Sequence, residues 1–318
     1  MLTVELIEQA RERIRGHVWR TGLVPSATLS RELGCRVSLK LECLQKTGSF
    51  KPRGAFNKML TLNTQEQQAG VVAVSGGNHA QGVAFAAQQL GLHAVICMPR
   101  TTPPNYLDAT RGYGAEILLT DDIHAAFAEA QRQQVAGRTL VHPFDDPLVA
   151  AGQGTIGLEI AEDAPDATHV FISIGGGALL AGVGTALKAR LPQVEVIGVE
   201  TEGADAMAKA VAAGRIVELP AITSIARTLG APRVSQFTLD AARKLAREVM
   251  VVSDAESVAA LVFLLERAKV LTEPAASCCL AAARRTVFRP TDHVVLLLCG
   301  GNVAVKDICG WMGRFLSA

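Results

Sequence analysis

The chain is 318 residues long, with 31 Lys and Arg against 30 Asp and Glu, for a formal net charge of +1. So neutral a balance gives no electrostatic footprint for nucleic acid or an anionic membrane, and neither is expected as a partner. At about 150 residues per domain the length predicts two domains, and 49% hydrophobic but only 4% aromatic residues require a core of Ala, Val, Leu and Ile, with 29 glycines available for tight turns.

The N-terminal segment carries Glu and Arg throughout and has no apolar stretch of secretory type. The seven cysteines (Cys35, Cys43, Cys97, Cys278, Cys279, Cys299, Cys309) are odd in number and contain no CxxC spacing, which points to reduced thiols and a cytoplasmic location. Residues 4–15 have helical periodicity and 37–41 read as a short strand. Apolar strand candidates then recur at 71–74, 93–98, 115–119, 139–142, 168–174, 194–199, 248–252 and 293–298. Ala-rich helical segments at 79–90, 123–135, 179–190, 254–267 and 275–286 separate most of them. The long uncharged stretch 167–187 holds His169, Ser173 and five glycines. It reads as strand, turn and helix rather than a membrane span. Strand alternating with helix, the strands apolar throughout, predicts an α/β fold with mainly parallel sheets covered on both faces.

Ligands of such sheets bind at the carboxyl ends of strands. Three loops there carry unusual chemistry. Gly175-Gly176-Gly177-Ala178-Leu179 opens directly into a helix, where unobstructed backbone N–H groups make a phosphate site. The dinucleotide register fails because Leu180 stands at its third glycine, and no Gly-Lys-Ser/Thr follows for a P-loop. Ser75-Gly76-Gly77-Asn78-His79 gathers backbone donors, a hydroxyl, an amide and an imidazole suited to a carboxylate; alternatively Asn78 caps the following helix. In Ser49-Phe50-Lys51-Pro52-Arg53, crowding by Arg53 and desolvation would lower the pKa of Lys51 and make it a nucleophile toward a carbonyl, against the plainer reading of a surface Lys/Arg pair. A phosphate cradle, an activated lysine and a carboxylate nest together are what pyridoxal 5'-phosphate with an amino-acid substrate requires.

SFKPRGA, SGGNHAQG, HPFDDP followed by AGQGTIGLEI, GGGALLAG, EPAA at 273–276 and CGGN resemble, in that order, the serine/threonine dehydratase and serine racemase family, the fold-type II pyridoxal-phosphate enzymes. The resemblance implies two three-layer α/β domains: a discontinuous large one (1–57 and 149–318) and a small inserted one (58–148). It implies Lys51 as the Schiff-base lysine with Phe50 packing beside the cofactor ring, Asn78 on its phenolic oxygen, Gly175 to Leu179 on its phosphate and Cys299 facing its pyridine nitrogen. Ser75, Gly76, Gly77 and His79 fall in the loop that receives the substrate carboxylate. A thiol opposite the ring nitrogen favours β-elimination over transamination. The expected reaction is therefore dehydration of an L-β-hydroxy amino acid to a 2-keto acid and ammonia, by a homodimer or homotetramer. The catalytic fold uses nearly the whole chain, so no C-terminal regulatory domain is expected.

Three departures discriminate among relatives. Gly76 stands where serine racemases carry a proton-transferring serine, which makes racemisation the lesser alternative. Ser224-Ile225-Ala226-Arg227-Thr228 replaces the usual T-I-A-D-G, so Arg227 and Thr228 are candidate substrate contacts and a substrate other than serine is expected: threonine, a bulkier one such as 3-phenylserine, or 3-hydroxyaspartate bound through Arg227. A β-replacement enzyme of the cysteine-synthase type is a further alternative. No metal is expected. Glu200 is a weak candidate ligand, read in preference as a solvated acid at a strand end.

Overall fold

The computed structural model describes residues 2–316. Ten strands form two sheets: β1 (Leu23–Pro25), β2 (Arg36–Lys40), β3 (Val71–Val74), β4 (Ala94–Pro99), β5 (Glu116–Thr120), β6 (Thr139–Leu140), β7 (His169–Ser173), β8 (Glu195–Thr201), β9 (Ala246–Val252) and β10 (His293–Leu297). The six-stranded sheet has the order β1-β2-β10-β7-β8-β9 and the four-stranded one β5-β4-β3-β6. Every pairing is parallel except that of the short edge strand β1 with β2. The smaller sheet takes its strands from one continuous stretch, whereas the larger joins strands from both sides of it.

The inner strands β3, β4, β7 and β10 are buried on both faces, which is why they are apolar runs rather than alternating ones. In the larger sheet Phe171, Ile197, Val199, Val294 and Leu296 share one core with the helices Asp254–Phe263 and Pro274–Arg284. Their neighbours Val170, Ile172, Val196, Val295 and Leu297 face the opposite core with the helices Pro147–Asp163 and Ala178–Arg190. The smaller sheet divides likewise. Val71, Ala73, Ile96 and Met98 pack on Phe56, Val83 and Ala87, while Val72, Val74, Val95 and Cys97 pack on Ala126 and Ala130.

The helix Pro147–Asp163 is buried along nearly all its length, so its sequence has no apolar stripe. Small residues let it approach two neighbours closely. A Cβ on Gly182 would lie 2.2 Å from the carbonyl of Ala150, and one on Gly152 would lie 2.4 Å from that of Arg53. These contacts seat the starts of the helices Ala178–Arg190 and Lys51–Met59, both of which open at the site described next. The predicted helix 254–267 ends earlier, at Phe263, and runs into a wider turn over Leu264–Ala268 closed by Lys269 at φ +59°.

Candidate active site

Lys51 is brought to the carboxyl ends of the large sheet by backbone pairing. Leu298 N–H donates to Lys40, Cys43 to Leu298 and Phe50 to Cys299, and Ser49 bridges Gly300. Lys51 is therefore the first residue of its helix and lies beside the end of β10. Its ammonium donates to the carbonyl of Pro143 at 3.2 Å and lies 5.1 Å from the centre of the Phe50 ring. Desolvation lowers its pKa to about 8 against the opposing pull of Glu273.

Arg53 contributes nothing to that shift, contrary to the sequence expectation. Its guanidinium points away into a buried knot, with Nε and Nη2 donating to Glu42 at 2.9 and 2.8 Å and Nη1 to Glu159 at 2.6 Å. Lys40 completes the cluster on Glu159 at 2.5 Å. Nor is Lys51-Arg53 a surface pair, since Arg53 is 1% exposed.

The amine makes a testable statement. An ordinary lysine near pKa 10.4 is almost wholly charged at pH 8, whereas Lys51 is about half neutral there. The rate at which cofactor-free protein captures an aldehyde on Lys51 should rise with pH and level off just above pH 8. A rate still climbing steeply at pH 10 would place the amine in water.

The glycine loop closes around the same space. A Cβ on Gly176 would lie 2.0 Å from the ring of Phe144, and one on Gly175 would meet Leu229 at 3.2 Å. Gly177 has φ +101° and is the N-cap of Ala178–Arg190 without a side-chain cap, leaving the N–H groups of Ala178 and Leu179 for a ligand. Cys299 is buried, its sulfur accepting from the hydroxyl of Ser173 at 3.2 Å. Burial, then Glu273, push its pKa well above the ordinary range, so it is a neutral thiol. Cys35, Cys43, Cys97, Cys278 and Cys279 are buried, whereas Cys309 is exposed.

Asn78 does not cap its helix. The N-cap is Gly77, with no side-chain bond, and the amide reaches across to the large sheet, where Nδ2 donates to Glu273 at 2.6 Å and Oδ1 accepts from Asn302 at 2.8 Å. The hydroxyl of Ser75 accepts from Gly77 N–H at 3.0 Å. His79 departs from expectation: its buried ring donates from Nε2 to the carbonyl of Val141 at 2.8 Å, leaving Nδ1 without a partner. Burial, then Lys51 and His142, hold its pKa well below the usual value. A neutral ring so committed has no N–H for a carboxylate, and position 79 has only its backbone to offer.

Thr228 joins the cluster, its methyl group packed on Gly77, while Arg227 beside it is exposed. Glu200 is not a solvated acid. It is fully buried, accepts from Met207 and Ala208 at 2.9 and 2.7 Å at the start of the helix Ala206–Ala213, and burial raises its pKa to about 8. No group of three or more His, Cys, Asp or Glu fit to hold a metal ion occurs among the described residues.

Sequence reasoning passed over Glu273, Asn302, Thr102, Tyr106 and Ser173. The EPAA and CGGN motifs carried the first two as signals of resemblance without a role. Thr102 and Tyr106 have no motif. Thr102 is 7% exposed, with an unpartnered hydroxyl 2.7 Å from where a Cβ on Gly76 would sit.

A desolvated lysine, a loop in which side chains have no room, a helix start with free N–H groups and a neutral thiol together fit pyridoxal phosphate. They match its aldehyde, its phosphate and its ring nitrogen in turn.

Comparisons with known proteins agree. The L-threonine ammonia-lyase of Geobacter sulfurreducens is 43% identical over 323 residues, covering all of this chain and 80% of that relative. Among solved structures, maize serine racemase superimposes with a TM-score of 0.93 at 33% identity, covering 99% of this chain and 98% of that one. A threonine deaminase from T.th. does so at 0.89 and 39% identity, covering 95% and 99%. No described helix is long and apolar enough to cross a membrane. The family model for pyridoxal-phosphate dependent enzymes matches residues 14–300, and the chain belongs to that family, with the fold-type II architecture.

Proposed function

We propose that the enzyme is a dehydratase that converts L-threonine, and L-serine less well, to the 2-keto acid and ammonia. The observation that carries the reading is Lys51, a desolvated amine with pKa about 8, bonded to Pro143 beside the Phe144 ring that lies against Gly176. The name of the 43% identical relative supports threonine as the substrate.

Pyridoxal phosphate, when bound, supplies an electrophilic carbon for the substrate amine and a sink for the electron pair of the broken Cα–H bond. Lys51 Nζ would hold it, with the N–H groups of Gly175 to Leu179 available to its phosphate and Phe50 to its ring. Released by the substrate amine, Lys51 Nζ is the base that takes the Cα proton, and a pKa near 8 leaves a useful neutral fraction at neutral pH. Backbone N–H groups of the Ser75–His79 loop bind the substrate carboxylate. Cys299, held as a neutral thiol, would offer the ring nitrogen no carboxylate to keep it protonated. Loss of the β-hydroxyl would use the electron pair of the Cα–H bond, and the hydroxyl would leave as water once it takes up a proton equivalent to the one Lys51 Nζ removed from Cα. Hydrolysis of the released enamine restores that water, so threonine yields 2-oxobutanoate and ammonia overall.

Racemisation remains a second reading because Thr102 puts an unpartnered hydroxyl against Gly76, where serine racemases resembling this chain carry their own. The bulkier substrates anticipated from Arg227 have no support among these relatives, and the exposed guanidinium gives no pocket for them. Keto-acid and ammonia release from L-threonine, L-serine, 3-phenylserine and 3-hydroxyaspartate, with chiral analysis of unreacted substrate, decides the matter. Highest kcat/KM on L-threonine with negligible D-isomer is expected. Faster turnover of 3-phenylserine, or isomer formation outpacing ammonia, would overturn the assignment.

A further inference from the structure

The amide of Asn78 is held from two sides by groups whose own orientation is already decided. Thr47 stands in the left-handed region at φ +65°, unusual for a β-branched residue, and its carbonyl accepts from Asn302 Nδ2 at 2.7 Å. Turned over, the Asn302 amide would place oxygen against oxygen, so its nitrogen must face Thr47. The same nitrogen donates its second hydrogen to Asn78 Oδ1 at 2.8 Å. That fixes Asn78 in turn, with Nδ2 toward Glu273 Oε1 at 2.6 Å. Glu273 is 3% exposed and its backbone N–H is tied to the carbonyl of Gly300 at 3.1 Å. Tyr106, on the helix Pro104–Gly112 of the smaller sheet's layer, donates to the carbonyl of Asn302 from the other side.

An amide nitrogen has two hydrogens. One of those on Asn78 is committed to Glu273, and the other is the only uncommitted donor on that side chain.

We propose that Glu273 and Asn302 are positioning residues that lock the Asn78 amide in one orientation, so that its remaining N–H is presented to the phenolic oxygen of the cofactor. The inference rests on Asn78 contacting that oxygen. Burial, opposed by Asn78, Thr228 and Lys51, raises the pKa of Glu273 to about 7, so the strength of the clamp also depends on its protonation.

The test follows cofactor release from the holoenzyme, read as loss of visible absorbance on dilution, together with the wavelength of that band. Glu273→Leu removes the acceptor, and Asn302→Asp inverts the donor that fixes Asn78. Each should raise the cofactor Kd about tenfold and displace the band. The double variant should lie within about twofold of the worse single, because both act through one amide. Glu273→Gln, which retains an acceptor oxygen, should stay within about threefold of wild type. Asn78→Ala must itself weaken binding about tenfold; if it leaves affinity and band unchanged, Asn78 does not contact the cofactor and the inference falls with that reading. If Asn78→Ala weakens binding but Glu273→Leu and Asn302→Asp do not, the lock alone is overturned. A lowered unfolding midpoint of the cofactor-free variants with unchanged Kd would likewise make these residues merely structural.

Discussion

Lys51→Ala is expected to abolish keto-acid formation, by at least about a thousandfold, and to remove the visible absorbance of the bound cofactor at the same time. Both losses trace to one atom. On the proposed reading the amine of Lys51 both holds the cofactor and takes the Cα proton, and its one hydrogen bond among the described residues is to Pro143. Losing that bond, at 3.2 Å and from an already desolvated group, leaves little to destabilise. Far-ultraviolet dichroism and melting should therefore match those of cofactor-free wild type. Retention of the absorption band in the variant would show that another amine holds the cofactor; retention of turnover with the band lost would show that Lys51 is not the base.

The largest stability effect is expected away from the chemistry, at Arg53. The buried knot balances two cations, Arg53 and Lys40, against two carboxylates, Glu42 and Glu159. Arg53→Leu leaves Glu42 with only the hydroxyl of Thr21 and the two carboxylates with one lysine between them. Removing one partner of a buried ion pair costs about 3–5 kcal/mol, because the remaining charge stays desolvated and uncompensated. A urea midpoint lowered accordingly, with an unchanged slope, is the expected result. Arg53→Lys should recover only part of the loss, since an ammonium cannot present the two-sided fork that reaches both acids. An Arg53→Leu protein with a wild-type midpoint would mean that the knot is not held as described. Because the knot ties the helix Lys51–Met59 to the end of β2 and to the helix Pro147–Asp163, activity should fall with stability rather than ahead of it.

Much of this was legible in the sequence, because the strands are short apolar runs and the chemistry sits in loops directly after them. The loops following β3, β7 and β10 were identified from glycines and small polar residues alone. Helices buried on all sides were harder. Pro147–Asp163 could be recognised only by its motif, since burial on every face erases the apolar stripe. Edge strand β1 ends in proline and has no apolar run at all. The misreadings share one cause, which is that a charge's surroundings are a long-range property. Arg53 is two residues from Lys51 in sequence but finds its partners at 42 and 159, and Glu200 borders solvent-type residues yet is taken up by the start of the next helix. The His79 ring is claimed by a carbonyl 62 positions away. Glu273 and Asn302 carry no local signal of their pairing with Asn78, 195 and 224 residues distant.

The strand order also dictates a sequence of assembly. The four strands of the smaller sheet leave the ribosome together, between residues 71 and 140, and can pair as soon as they emerge. The larger sheet cannot close in this way. Its β10 lies between β2 and β7, so β2 waits through roughly 250 residues of synthesis for its parallel neighbour. Lys51, docked through Ser49 and Phe50 on the residues just after β10, has no site until then. During translation the strands of the smaller sheet are therefore all available while β2 and β7 still lack their central partner. Premature pairing of those two strands is the misfolding step that this order of assembly exposes.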